Sequence, residues 1–339
     1  MDDVEDALAI AEFWAIVKGG FSITDFEWDD DELIASYIDT IVDPLMRKDL
    51  TQEPSFALSE AKDEFARQIH VSIENRKRSL GGRYPFHYEP NEDLFLVLPN
   101  REALDFQALS YCWVSFYNAA QSDRHLVSMA NADRKQLVRE FAAIFEFICC
   151  YALAVRSAGP VWHLGKERST ATLLRRLSEI CKFIGSGAAK NFKDLEVHLA
   201  YSNDGGVDVF GVYAPAGAFQ KGSQAFLLGA TIQKTDRKRK IVGPEAAAEF
   251  QGLFSTVPLL PFHGVLAVPF EFDQAEAERC RIRQCIYLSR AEIILLLGTQ
   301  LPHAVAKRSL RLPFAQLMDT TRRIAGEIRI STNSGLISV

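Results

Sequence analysis

The sequence lacks most of the signatures that announce an activity. Its six cysteines, Cys112, Cys149, Cys150, Cys181, Cys280 and Cys285, form no C-x-x-C pair, so neither a zinc ribbon nor a thioredoxin-type redox motif is indicated. The seven histidines are scattered, with no H-x-x-x-H or H-E-x-x-H arrangement to hold zinc. There is no G-x-S-x-G elbow and no recognisable Cys–His spacing, so nucleophilic catalysis has nothing in its favour. No G-x-x-x-x-G-K-(S/T) loop is available to cradle nucleotide phosphates. Positive charge is also short: 38 Lys+Arg stand against 44 Asp+Glu, for a net charge of -6. That balance excludes polyanion binding over the whole surface and leaves any nucleic-acid contact to a local basic patch. The longest apolar stretch, Phe141 to Val155, is too short to cross a bilayer and contains Glu146, which predicts a buried helix. The N-terminal run MDDVEDALAIAEF is acidic where a secretory signal needs positive charge, so no export and no membrane association are expected.

What is present is the composition of a globular protein. With 339 residues, 48% hydrophobic and 24% charged, the chain is long enough for two domains. The cysteines sit among apolar neighbours, where reduced thiols behave as small hydrophobes, and a cytoplasmic location is expected. The first half reads as helices: Asp2 to Val17, a second starting near Asp29-Asp30-Asp31-Glu32, then Ser59 to Arg76, Asp105 to Asn118 and Arg134 to Ser157. A short strand, Leu94 to Leu98, interrupts them. Gly81-Gly82 reads as a helix stop after the basic cluster Arg76-Lys77-Arg78, whose charge suits a helix C-terminus.

At Gly159-Pro160 the character changes, and residues 1–158, 159–330 and 331–339 are expected to form a mainly helical region, an α/β domain and a flexible tail. The second region predicts a helix at Thr170 to Ile184 and strands at Leu195 to Tyr201, Val207 to Ala214 and Ala225 to Gln233. A helix at Glu245 to Phe254, a strand at Val265 to Phe270 and closing helices follow. Ser289 with Glu292 three residues later forms a capping-box pattern at the head of LSRAEIILLLG. Asn203-Asp204-Gly205-Gly206 reads as a hairpin turn, after which Asp208 lies early in a strand. A hairpin, a third strand, a helix and a fourth strand make an α/β order with a mixed sheet. Such a sheet can host phosphodiester hydrolysis, because carboxylates on adjacent strands can hold Mg²⁺ rigidly enough to polarise a phosphate.

The stretch DGGVDVFGVYAPAGAFQKGSQAFLLGATIQ resembles the core of the restriction-endonuclease-like, PD-(D/E)XK, superfamily, and particularly a prokaryotic group associated with phage defence. GGRYPF (81–86) and FHGVLAVPFEF (262–272) are also similar to segments of that group. The resemblance implies that Asp208 binds the metal. It also exposes departures: Arg175 stands where the preceding helix often places a glutamate, Ala230 where the third strand carries Gln or Glu, and Ile232 at the lysine position. A rearranged site would draw on Glu179, or Glu167, and on Gln233 and Lys234. The basic run Lys234, Arg237, Lys238, Arg239 and Lys240 follows the third strand and would contact phosphates without reading sequence.

Three functions are therefore expected, in this order. The first is a DNA-associated subunit of an anti-phage defence system with a degenerate cleavage site, alongside an ATPase or helicase partner. The second is an active Mg²⁺-dependent DNA endonuclease that uses Asp208, Glu179, Gln233 and Lys234. The third is a protein-interaction component that binds no DNA.

Overall fold

A computed structural model describes residues 2–18, 20–22, 54–89, 95–97, 107–108, 110–112, 114–115, 131–165, 169–201, 207–214, 219, 222–231, 244–271 and 274–297. The second predicted helix, starting near Asp29–Glu32, the basic run at 234–240 and the C-terminal tail lie outside them. The chain is mixed α/β and divides into two compact units, residues 1–130 with 322–339, and residues 131–321. The boundary read from the sequence at 158/159 follows a change in composition. The chain instead groups the preceding helix with the second unit, because that helix packs on its sheet.

In the first unit, α1 (Asp2–Lys18) and α2 (Pro54–Leu80) pack together, and β1 (Gly20–Ser22), β3 (Phe95–Val97) and β2 (His87–Glu89) form an antiparallel sheet in the order β1-β3-β2. Helix α2 buries Phe65, Ile69, Ile73, Arg76 and Leu80, a stripe at helical spacing in which one member is charged. Gly81, at φ +57°, then turns the chain into a short 3₁₀ segment, Gly81–Arg83, and so ends the helix as its sequence predicts.

The charged member of that stripe is compensated. Fully buried Glu12 accepts hydrogen bonds from Arg76 Nη1 at 2.5 Å, Tyr111 OH at 2.7 Å, Ser115 Oγ at 2.6 Å and Tyr84 OH at 3.0 Å, and Arg76 Nη2 also pairs with Glu5. Burial works against the Arg76 charge, but the Glu12 and Glu5 carboxylates overcome it and hold its pKa well above the ordinary value. Arg76 is therefore removed from any role in phosphate contact. Its neighbour Lys77 pairs with Glu74 at 3.0 Å and lies over the Tyr88 ring.

In the second unit, α3 (Asn131–Ser157) leads to β4 (Val161–His163), then come α4 (Thr170–Ile184), β5 (Ala188–Ala189), α5 (Phe192–Tyr201), β6 (Val209–Val212) and β7 (Ala225–Ala230). The chain closes through α6 (Pro244–Gln251), β8 (Phe254–Thr256), β9 (Phe262–Ala267), α7 (Gln274–Ile282), β10 (Ile286–Leu288) and α8 (Arg290–Leu296). The main sheet has the order β10-β9-β7-β6-β4; β6 runs antiparallel to both neighbours, while β7, β9 and β10 are parallel. The helical crossover through α6 allows the parallel pair, as expected from the sequence.

Both faces of the sheet are covered. Phe210, Val212, Ala225 and Leu227 share a core with Leu173, Leu177 and Ile180 of α4 and with Phe250 and Phe254, and Phe210 stacks on Phe250 at 5.6 Å. On the other face α3 packs on β4, β6 and β7, so closely that a Cβ at Gly211 would lie 3.0 Å from Leu153 Cδ2. Strands buried on both faces need continuous apolar runs, and every residue of VFGV and AFLLGA is buried. In α3, every residue from Ile144 to Ala154 except Phe147 is buried, including Glu146.

One predicted strand is a helix. Leu195 to Tyr201 alternates apolar and polar residues, but Asn191 starts α5 instead: its Oδ1 accepts the Asp194 N–H at 2.9 Å. Leu195 then points into the core and Val197 into solvent. The hairpin turn expected at Asn203–Gly206 lies outside the described residues; the element before it is a helix, and the antiparallel partners of β6 are β7 and the short β4.

Candidate functional site

Asp208 is the residue on which the sequence reading converges, and the structure places it at the head of β6, at the sheet end where β4 and β7 finish. Its side chain is buried, with 3% of the residue exposed. Its backbone is fixed from both sides, since Asp208 N donates to Leu228 O at 2.8 Å and Leu164 N donates to Asp208 O at 2.7 Å. The carboxylate is used as well, because Oδ2 accepts the Ala230 N–H at 2.7 Å. A side chain here does the work of a strand carbonyl, carrying the β6–β7 ladder one step past the last paired residues.

The companions expected from the sequence are not gathered around it. Glu179 lies on the solvent side of α4, 4.0 Å from Arg175 Nη1, while the opposite side of the helix buries Leu173, Leu177, Ile180, Cys181 and Ile184. Ala230 offers Asp208 only its backbone. Glu167, Ile232, Gln233, Lys234, Arg237, Lys238, Arg239 and Lys240 lie outside the described residues. His198 falls on α5 rather than on a strand.

Other groups do meet at this sheet end. Glu146 of α3 and His163 of β4 are linked, Nε2 to Oε2, at 2.8 Å, and the imidazole ring lies 4.7 Å from Phe147. Beneath them the Cys150 thiol is held well above its ordinary pKa, first by burial and then by the negative charge of Glu146. Arg176 of α4 pulls it down and Asp208 pushes it further up. One buried sulfur thus feels the charges of two carboxylates and a guanidinium. The available sequence signal for Glu146 was a lone acid inside the longest apolar stretch. Arg176 and His163 carried none that sets them apart.

Gly165 admits the Glu146–His163 pair. A Cβ there would stand 2.0 Å from Glu146 Oε2 and 2.2 Å from His163 Nε2. Gly165→Ala is expected to force the pair apart and cost about 1–3 kcal/mol, the usual range for overpacking. Gly82→Ala, whose Cβ meets nothing within 4 Å, serves as the neutral control in urea titrations of the two variants.

The Mg²⁺ that the family resemblance implies does not fit the side chains described. A hard cation needs several free oxygens at one point. Here Asp208 Oδ2 is bonded to backbone, Glu146 is engaged with His163, and no group of three or more His, Cys, Asp or Glu that could hold a metal forms among the described residues. No described helix is long and apolar enough to cross a membrane. No family model, curated protein or solved structure matches this chain.

Proposed function

We propose that this chain is a nuclease-fold, DNA-associated subunit of a prokaryotic anti-phage defence system, in which Asp208 supports the sheet and the DNA contact falls to the basic run after β7. The observation that carries this reading is the buried Asp208 carboxylate bonded to the Ala230 N–H. The acid keeps the position that the resemblance gives it, at the head of a strand in a mixed sheet, but its neighbour supplies a backbone donor where an acid or amide is expected. The cytoplasm and an ATPase or helicase partner belong to the same proposal and rest on the resemblance.

Lys234, Arg237, Lys238, Arg239 and Lys240 are then the phosphate-binding residues. Each neutralised phosphate steepens the slope of log K against log salt by about 0.9 for duplex DNA. Five contacts predict a loss of about two to three decades in affinity between about 50 and 200 mM salt. Changing all five residues to glutamine should flatten the slope by about four units and weaken all sequences alike, read by fluorescence anisotropy on a labelled duplex. Mg²⁺- or Mn²⁺-dependent cleavage of plasmid DNA that Asp208→Ala abolishes would replace the proposal with the active endonuclease. Absence of DNA binding at low salt would replace it with the protein-interaction component.

A further inference from the structure

The second unit contains a pair of thiols that the function above does not use. Helix α7 ends in a closed turn, where Cys285 N donates to Cys280 O at 2.9 Å and Gln284 N donates to Arg281 O at 3.0 Å. Gln284 takes the left-handed conformation between them, φ +53°, without being glycine. These bonds form a Schellman motif, in which the side chains three residues before and two after the helix end frequently meet. Both positions are cysteine. Cys280 and Cys285 sit in one small core with Leu266, Val268 and Phe270, exposed by 1% and 5%, and neither is in a disulfide.

The backbone closure matters because regular helix would separate residues i and i+5 by about 7.5 Å along its axis. A disulfide needs α-carbons about 4.4–6.8 Å apart. The wrap-around bond from Cys285 to Cys280 shortens the path that regular helix would impose.

We propose that Cys280 and Cys285 form a peroxide-sensitive disulfide that locks the turn between α7 and the edge strand β10. Cys285 is the more exposed residue of the two, its Sγ donating to Ile286 O at 3.4 Å, and reacts first. Its sulfur attacks one oxygen of hydrogen peroxide, the O–O bond breaks, and a sulfenic acid and one water result. The Cys280 sulfur then attacks the sulfenic sulfur and expels the hydroxyl, which leaves as a second water with the Cys280 proton. Two thiols and one peroxide thus give one disulfide and two waters, with the two electrons passing from sulfur to peroxide oxygen.

The link would act on structure as well as chemistry. Strand β10 is the sheet's edge, paired to β9 alone in the main sheet, and Val268, just after β9, donates to Leu288 O at its far end. Tying Cys280 to Cys285 fixes the entry to that strand, so amide exchange at 284–288 should slow in the oxidised protein.

The experiment treats the full chain with hydrogen peroxide, alkylates the remaining thiols, and maps tryptic peptides by mass spectrometry. The expected product is a cross-link joining residues 280–281 to residues 284–290, lighter by two hydrogen masses, with Cys112, Cys149, Cys150 and Cys181 alkylated and the link reversed by dithiothreitol. Cys280→Ser should remove the cross-link and let dimedone trap a sulfenic acid at Cys285. If that variant does not fold, the wild-type map alone decides. The proposal is overturned if Cys280 and Cys285 stay fully alkylated at peroxide levels that oxidise the other cysteines, or if either one pairs elsewhere.

Discussion

Glu12→Ala is expected to cost the first unit about 3–5 kcal/mol, the largest single-site loss among the described residues. The carboxylate is fully buried and accepts from Arg76, Tyr84, Tyr111 and Ser115 at once. Removing it leaves three hydroxyls without this acceptor and a buried guanidinium with Glu5 as its one remaining carboxylate, besides the Tyr111 hydroxyl that accepts from Arg76 Nη1 at 3.2 Å. Orphaned buried charge, more than the lost attraction, sets the magnitude. Glu12→Gln keeps an acceptor oxygen and should fall between wild type and alanine. Replacing both partners, Glu12→Leu with Arg76→Met, should recover the part of the loss that comes from the orphaned guanidinium, and not the part that comes from the buried hydroxyls of Tyr84, Tyr111 and Ser115.

The same network predicts a pH limit for the first unit. Burial first, and the Glu12 charge second, push the Tyr84 phenol well above its ordinary value, so the folded state holds a proton that the unfolded chain releases near pH 10. That stabilising contribution is fully present below about pH 10 and is lost as pH rises from there through the raised folded pKa. Hydrogen exchange at α1 and α2 checks both effects, since the two units need not unfold together.

How far the sequence could be read depended on what each local signal competes with. Thr170–Ile184 was legible because a strong apolar stripe, a serine cap and a glycine stop agree: Ser169 Oγ accepts the Thr172 N–H at 3.2 Å and Gly185 closes the helix at φ +72°. The capping box at Ser289 was legible for the same reason, with Glu292 accepting the Ser289 N–H at 2.7 Å. Leu195–Tyr201 misled because its alternation is also compatible with a helix, and the cap at Asn191, four residues upstream, decided the outcome. Strands β4 and β10 are three residues each, too short for a period to show, and β4 supplies His163. The place of Asp208 at the head of a strand was legible, because one motif marks it. The pairing of Glu146 with His163 depends on α3 lying across the sheet, a long-range contact that no local pattern encodes.

Asp208→Ala is expected to destabilise the second unit by about 1–3 kcal/mol, because the Ala230 N–H is left buried without the acceptor it now has. Asp208→Asn separates the two roles the residue could hold. Its amide carbonyl can still accept from Ala230, so a supporting role predicts that asparagine retains most of the stability while removing the charge. Metal binding predicts the reverse: asparagine would lose Mg²⁺ affinity as completely as alanine, and stability would change little, since an acid held for a cation is under strain when the cation is absent. Urea unfolding monitored through exchange at β6 and β7, run with and without Mg²⁺, reads both quantities in one experiment. A large stability loss in alanine, a small one in asparagine and no Mg²⁺ dependence in either is the result that the Ala230 hydrogen bond requires. Equal stability of all three proteins, with Mg²⁺ stabilising the wild type alone, would return Asp208 to catalysis.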